Sequence, residues 1–527
     1  MVPKSIAIIG GGISGLSVAY TLITSQYTGA ITVFEAKPTL GGNADTVELL
    51  LGTDYRGAAP KPFTRIADLG VNDINLSSYK RVAQAMTTIN YCQPGFPDDG
   101  ALRPLEDSAC FFTPDGREIW TMDQYLIEKS SPHSGVVDLR FSLDNPDNPH
   151  SVRLKDAEQK FMQRAAQDFG PDQNPGEQPE YWTYSVRRYV EYFRNTYLTG
   201  PAPLFDPAML DEVARLFLMP RIAAMYFAAD TGPEDMPFRG VMNYYRLQEG
   251  YGTGKAPDRR YFTHGSQDWI NALANWLQGR GVTIVQGFRA QVASTEANGA
   301  PAVIIRDAEN QHPPHVVDAV VMAAHADDQL NAFSRGDTLL DEGMASDLGR
   351  IQHAVSRAVA HTWAEVLPSN VGCWRSYNVT IRSGQGLMPY QMTYVENRHR
   401  NDALSPEYDR FGLPTYFVTL NPAPPIPDAH VLRLKPDTVK GRLGRRPGFH
   451  PPDHAGDAHA DKAVIWFRHT VMTPTLLDIQ DRLPQRQGMS DGRVFFAGCW
   501  TNGAGLHEQC FEQAERVVAA MGVTQDT

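Results

Sequence analysis

The chain has 527 residues, with 48 Lys and Arg against 60 Asp and Glu and a formal net charge of −12 at pH 7. That balance excludes nucleic acid and anionic membrane surfaces as main partners, because both select clustered basic side chains and here they are scattered. Five cysteines without C-x-x-C spacing exclude a disulfide framework and a zinc cluster, and point to a reducing cytoplasm; the length suggests about two to four lobes.

Residues 5–10 read as a short buried strand, after which Gly10, Gly12 and Gly15 fall in G-x-G-x-x-G register ahead of a helix. A second apolar strand, 31–35, closes on Glu35. A dinucleotide needs this order. Glycines let the backbone turn tightly, approach a pyrophosphate and pack the helix on the strand, and an acid at the end of the second strand accepts hydrogen bonds from the ribose. The helix N-terminus then faces the phosphates. The apolar stretch 6–23 stands where a signal sequence would, but the glycine triad and the following strand assign it to the nucleotide-binding unit. No other run reaches the ~20 apolar residues of a membrane span.

Beyond a segment carrying Gly41-Gly42-Asn43 and another carrying Asp68-Leu69-Gly70, residues 76–88 read as a helix. Residues 111–120 read as a hairpin turning at Pro114-Asp115-Gly116, and 129–150 as an excursion loop. Helical periodicity covers 154–169, 185–197 and 207–226, and Tyr181, Tyr184, Tyr189, Tyr192, Phe193 and Tyr197 make this lobe aromatic. Such a stripe is ordinarily core, with a substrate wall as the alternative. A helix over 267–277, a strand over 282–285 and an apolar strand over 318–323 describe a Rossmann domain that returns late in the chain. Strands follow at 361–366, 372–381, 390–395, 416–421 and 464–469. Residues 441–460 read as a solvated loop; its histidines and aspartates lack ligand spacing, and no metal site is expected. The chain closes on a strand, 494–497, that runs into Gly498, and a helix, 505–520, with Leu506, His507 and Glu508 in its first turn. The free amides of that turn suit the negative charge of a reduced flavin.

The triad with Glu35, the Gly41-Gly42 pair, Asp68-x-Gly70, Phe495-Phe496-Ala497-Gly498-x-Trp500-Thr501 and Gly505-Leu506-His507-Glu508 resemble the flavin amine oxidase and phytoene desaturase superfamily. Within it the chain is most similar to the bacterial predicted NAD/FAD-binding group of amine-oxidase-like flavoproteins. Supporting segments include Leu218-Met219-Pro220-Arg221, Thr263-His264-Gly265-Ser266, Ala323-Ala324-His325 and Met392-Thr393-Tyr394-Val395. The resemblance implies an α/β protein with a discontinuous Rossmann-like FAD-binding domain (1–90, 266–345 and 486–527), a mixed-sheet substrate domain (91–265 and 346–485) and a helical lobe in its first part. By position, Gly10, Gly12, Ser14 and Gly15 would cradle the pyrophosphate, and Glu35 and Ala36 would hold the ribose. Gly42 and Asn43 would approach the phosphates, Val292 would meet adenine, and Gly498, Leu506 and His507 would lie along pyrophosphate and isoalloxazine. Asn43 stands where many members carry Arg, and Gln509 to Glu515 replace a small-residue pattern in the last helix. No flavin attachment motif is present, so the FAD is expected to be non-covalent and Cys499 and Cys510 to be buried thiols.

The expected reaction is hydride transfer from a C–H bond of an apolar or amphiphilic small molecule to flavin N5. Alternatives are a flavin-dependent isomerase or hydratase of a fatty-acid-like substrate, and a non-catalytic FAD protein; a homodimer is possible. Candidate acid, base or orienting groups are His507, Glu508, Arg221 and Tyr394, then His264 and His361. Against each stands a structural role: His507 as a helix cap, Glu508 as a first-turn acid, Arg221 as an ion-pair anchor.

Overall fold

The computed structural model describes residues 2–54, 61–92, 100–112, 119–123, 149–170, 179–226, 232–334, 336–380, 391–400, 415–436 and 461–523. The expected turn at Pro114-Asp115-Gly116, nearly all of the 129–150 loop and all of the 441–460 loop lie outside them.

The strand Ser5–Ile9 pairs in parallel with Ala30–Glu35 on one side and Ala319–Met322 on the other. Thr283–Gln286 joins the outer edge of Ala30–Glu35 and Val494–Phe496 the outer edge of Ala319–Met322, both in parallel, making a five-stranded sheet. Helices cover a parallel sheet, so its strands are apolar throughout rather than alternating; all four residues of Ala319–Met322 are buried. On the sheet lies the helix Ile13–Thr24, packed against the closing helix His507–Ala520 and against Ser266–Gln278. Ser14 Oγ donates to Cys510 Sγ at 3.2 Å and Ser17 Oγ to the Cys510 carbonyl at 3.2 Å.

Around this unit sit a three-stranded antiparallel sheet (Ala290–Ala297, Ala300–Asp307, His315–Val317) and a seven-stranded mixed sheet. The seven run Val464–Thr470, His353–His361, Phe417–Leu420, Met392–Val395, Tyr377–Thr380, Ser108–Phe112, Ile119–Asp123. Neighbours are antiparallel except Tyr377–Thr380 and Ser108–Phe112. The hairpin expected over 111–120 is present, with Phe111 opposite Trp120. Two expected strands are displaced. The strand read as 361–366 ends at His361, because the His361 ring accepts the Trp363 N–H at 3.1 Å and the chain turns into a 3-10 helix, Ala364–Val366. The strand read as 372–381 begins only at Tyr377, since Val371–Cys373 is 3-10 and the Asn378 side chain caps the Arg375 N–H at 3.0 Å.

The lobe is helical, from Pro149–Asp168 through Val186–Phe193 and Met219–Tyr226 to Phe238–Glu249, with π-helical turns at Arg194–Leu198 and Val213–Leu218. Its aromatic stripe is core: Tyr189 stacks on Phe238 at 4.5 Å and Phe161 lies 4.7 Å from Phe193. The buried Asp168 carboxylate accepts from Tyr189 at 2.7 Å, Tyr197 at 3.0 Å and Arg164 at 2.6 Å, so the phenols at the stripe's end are tied inward. Among the described residues no helix is long and apolar enough to cross a membrane.

A Cβ on Gly15 would stand 2.0 Å from the Gly10 carbonyl oxygen, so helix and first strand meet only because Gly15 has no side chain. Gly15→Ala is expected to cost roughly 1–3 kcal/mol, the scale of overpacking a close contact, read as a lower urea midpoint at unchanged m-value.

Candidate functional site

The glycine turn, the Gly41–Asn43 segment, the start of the closing helix and the inner faces of the lobe and of the seven-stranded sheet enclose one cavity of 860 Å³. At one end the backbone itself is the wall. Gly10, at φ +120°, leaves 2.6 Å between a would-be Cβ and the Ala323 carbonyl oxygen, and Gly12 faces Gly42, whose Cα would lie 3.7 Å from its Cβ. Gly10 N–H donates to Phe34 O at 2.8 Å and Gly41 N–H to Gly11 O at 3.0 Å, which ties the turn to the second strand and to the glycine pair. Glu35 lines the cavity and braces this turn: its carboxylate accepts from Gly11 N–H at 2.7 Å and from Lys37 N–H at 2.8 Å.

Asn43 gives its Nδ2 proton to the Arg468 carbonyl at 3.0 Å, while its Oδ1 is buried without a hydrogen-bond partner. A Cβ on Gly70 would meet the Asn43 carbonyl at 1.8 Å, which explains the Asp68-x-Gly70 pattern. Asp68 itself is structural. It accepts from Thr46 and Ser266 and lies 3.7 Å from Arg400.

The closing helix presents its first turn to the cavity through Leu506 and His507. Gln509 holds that approach, its Oε1 accepting from Ala504 N–H and Leu506 N–H, both at 3.0 Å; this is the use of a residue that replaces the expected small one. His507 is 5% exposed, its Nδ1 has no partner, and burial pulls its pKa down to about 4, so the ring is neutral.

The far end of the cavity is charged and aromatic. Arg259 binds Asp73 at 2.7 Å, Asp107 at 2.8 Å and the Tyr377 hydroxyl at 2.9 Å, while Tyr377 donates to Asp73 at 2.7 Å. Burial opposes the Asp73 charge, but Arg259, His399 and Tyr377 outweigh it and hold the carboxyl below its ordinary range. Arg221 pairs with Glu158 at 3.2 Å. Glu249 ends the helix Phe238–Glu249, where the dipole is negative. Its carboxylate accepts no hydrogen bond from the described residues, and neither does the Tyr244 hydroxyl engage one. Burial, then the Asp107 charge, raises the Glu249 pKa against the partial offset of Arg221 and Arg259.

Of the residues singled out in the sequence, Gly10, Gly12, Ser14, Glu35, Ala36, Gly42, Asn43, Leu506, His507, Arg221 and Tyr394 line this cavity. Gly15 and Gly498 act from behind it: a Cβ on Gly498 would meet the Ala324 carbonyl at 2.6 Å. Val292 is fully buried and bridged to Phe333; the wall there is Phe288, Arg289, Ala290 and Gln291. Glu508 turns away. Successive helical residues point roughly 100° apart, and Glu508 instead accepts from the N–H groups of Arg81 at 3.0 Å and Val82 at 3.1 Å, capping the helix Lys80–Thr88. His264 is exposed outside the cavity, and His361 is sealed in the seven-stranded sheet on Thr419 at 2.6 Å. Cys510 is buried and pushed up to about 12 by burial, but Cys499 is only half-buried and stands on the cavity wall. Sequence reasoning missed Asp73, Glu249, Arg259 and Tyr244, although Asp73 follows the Asp68-x-Gly70 motif by three residues.

Residues 8–88 match the family described as an NAD(P)-binding Rossmann-like domain. No curated protein matches the chain in sequence. Among solved structures the chain is similar to a putative protoporphyrinogen oxidase from Exiguobacterium sp. 255-15, at 15% identity and TM-score 0.52 over 98% of both chains. It is similar to cyclohexylamine oxidase from Brevibacterium oxydans IH-35A, at 13% and 0.52 over 99% of both. It is also similar to putrescine oxidase bound to putrescine, at 12% and 0.54 over 98% of both. The chain thus shares the overall fold of these solved oxidases, with the Rossmann-like unit where the glycine triad lies.

Glu508→Ala is expected to lower stability by roughly 1.5–3 kcal/mol, the scale for hydrogen bonds to a charged group, while leaving cofactor affinity unchanged; calorimetry and a binding titration check the two halves. The pH dependence has a definite sign. Burial holds His361 at about 3, His399 at about 3 and His507 at about 4, against 6.5 when exposed. The stability tied to their neutral forms is therefore whole above pH 6.5 and shrinks as pH falls toward those values. Each contributes up to about 1.4 kcal/mol per pH unit in that window, and His361→Gln is expected to flatten the loss between pH 6.5 and 5 in urea titrations.

Proposed function

We propose that this protein is an FAD-dependent oxidoreductase that removes a hydride from a C–H bond of an amphiphilic small molecule, and that the molecule's polar head is an amine. The observation that carries the reading is that one cavity joins a glycine-lined, helix-capped end to a charged, aromatic end. The residues fit FAD: Gly12 and Gly42 leave a floor that any side chain would fill, and Asn43 Oδ1 and His507 Nδ1 are buried polar atoms awaiting partners. Gly10, Gly12 and Ser14 would hold the pyrophosphate, Glu35 and Ala36 the ribose, Gly42 and Asn43 the phosphates, and Leu506 and His507 the flavin ring. Bound there, FAD supplies the hydride acceptor at flavin N5.

The chain's own part is electrostatic and positional. The amides of the closing helix's first turn stabilise negative charge beside them. His507, neutral at pH 7, offers its ring as a hydrogen-bonding group without adding charge. At the other end Arg221 is balanced by Glu158, while Asp73, Asp107 and Glu249 outnumber Arg259. A carboxylate head would meet unbalanced acids of its own sign; an ammonium would meet a counter-ion and aromatic faces, Tyr244 and Tyr394 among them. The solved relatives named for cyclohexylamine and putrescine support the same head group. The fatty-acid-like substrate of the alternative reading is disfavoured by the same acids.

The purified protein is expected to be yellow and to release FAD on denaturation, and Gly12→Val to be colourless but folded. Anaerobic mixing with primary alkylamines and arylalkylamines is expected to bleach the flavin where fatty acids do not. Glu249→Gln is expected to raise the amine concentration for half-maximal bleaching roughly tenfold, the lower end for a hydrogen bond to a charged group. Bleaching by fatty acids alone would sink the amine reading, and wild-type protein that never binds FAD would sink the whole.

A further inference from the structure

We infer that Arg289 is the clamp over the adenine ring at the adenosine end of the cavity, so that this chain holds its cofactor there by a cation laid on a π face. The inference rests on the FAD reading. The order of groups along the wall carries it. Glu35 is gripped from two sides: its carboxylate by Gly11 N–H at 2.7 Å, in the phosphate-facing turn, and its carbonyl by Phe288 N–H at 2.9 Å. Turn, acid and Arg289 therefore follow one another along the wall, and in a dinucleotide the group beyond the ribose is the base.

The backbone that carries Arg289 is held firmly. Gln286 Nε2 donates to Pro38 O at 2.9 Å, Gly287 N–H to Lys37 O at 3.1 Å and Ala308 N–H to Arg289 O at 2.8 Å. Phe288, 1% exposed, lies ring to ring with Phe34 at 4.5 Å. On this anchored bend the Arg289 side chain is exposed, lines the cavity and has no partner among the described residues. The other described cations on the wall are engaged: Arg259 by Asp73 and Asp107, Arg221 by Glu158, Arg468 by Asp327 and Asp328, and Lys37 by the Gly42 carbonyl at 3.1 Å. Asn43 brings no charge, and its amide is spent on Arg468 O. A planar guanidinium fits a flat purine better than an ammonium does, and it stays charged at any working pH.

The test measures binding, not turnover. FAD and ADP dissociation constants are taken by fluorescence titration on protein stripped of flavin, for wild type, R289A and R289K, with FMN as the ligand that lacks adenine. R289A is expected to weaken FAD and ADP by the same factor, roughly threefold to tenfold, to leave FMN binding and the thermal midpoint unchanged, and R289K to fall between R289A and wild type. FAD and ADP bound by R289A as tightly as by wild type would overturn the clamp, as would R289K equal to wild type, since charge alone would then suffice. Wild-type protein that binds neither FAD nor ADP would instead overturn the FAD reading beneath it.

Discussion

The site depends first on one helix contact, that of Ile13–Thr24 with His507–Ala520. It joins residues almost the full chain apart, through Ser14 and Ser17 on one helix and Cys510 on the other. Small side chains at this seam let the axes approach; Ser14 donates to Cys510 Sγ, and Ser17 shares its proton between Cys510 O at 3.2 Å and Ser14 O of its own helix at 2.9 Å, so neither hydroxyl is left unpaired. Because the seam sets where the closing helix begins, it brings Leu506 and His507 to the cavity that the Gly10–Ser14 turn opens. The absence of a Cβ at Gly15 seats the first helix on the strand, and Gln509 shapes the approach to the last one.

The two ends of the cavity solve opposite electrostatic problems. At the glycine-lined end backbone amides and a neutral imidazole face the cavity, a surface that favours negative charge. The other end keeps formal charges, each guanidinium of Arg221 and Arg259 matched to carboxylates at 2.7–3.2 Å. Buried pairs of this kind add little net stability, because desolvation offsets attraction. Their value is the fixed pattern of charge left facing the cavity.

Local physics made the amino-terminal unit legible: strand, glycines, helix, strand and acid occupy one short stretch, and backbone sterics alone dictate their order. The lobe's aromatic stripe read correctly as core, its phenols gathered on Asp168. What could not be read depends on which way a side chain turns. Glu508 and His507 are adjacent in sequence, yet one caps a neighbouring helix and the other faces the cavity. Val292 is fully buried, although Phe288 to Gln291 immediately before it line the cavity. The charged end was invisible because Asp73, Arg259 and Glu249 come from separate segments and share no spacing. His361 carried a residue type suited to catalysis, but the sheet closes over it.

The order of the five-stranded sheet bears on how the protein is made. Its strand Ala319–Met322 pairs with Ser5–Ile9 on one edge and with Val494–Phe496 on the other, so the sheet cannot be completed locally. Pairings of such long sequence separation form slowly, and a ribosome delivers residues at about 5–20 per second. The nascent amino-terminal half thus waits with its glycine turn exposed while the lobe and the seven-stranded sheet emerge. The pocket gains the wall that Leu506 and His507 supply only once the closing helix has been made and docked, so any shorter nascent chain presents the glycine turn without its opposite side.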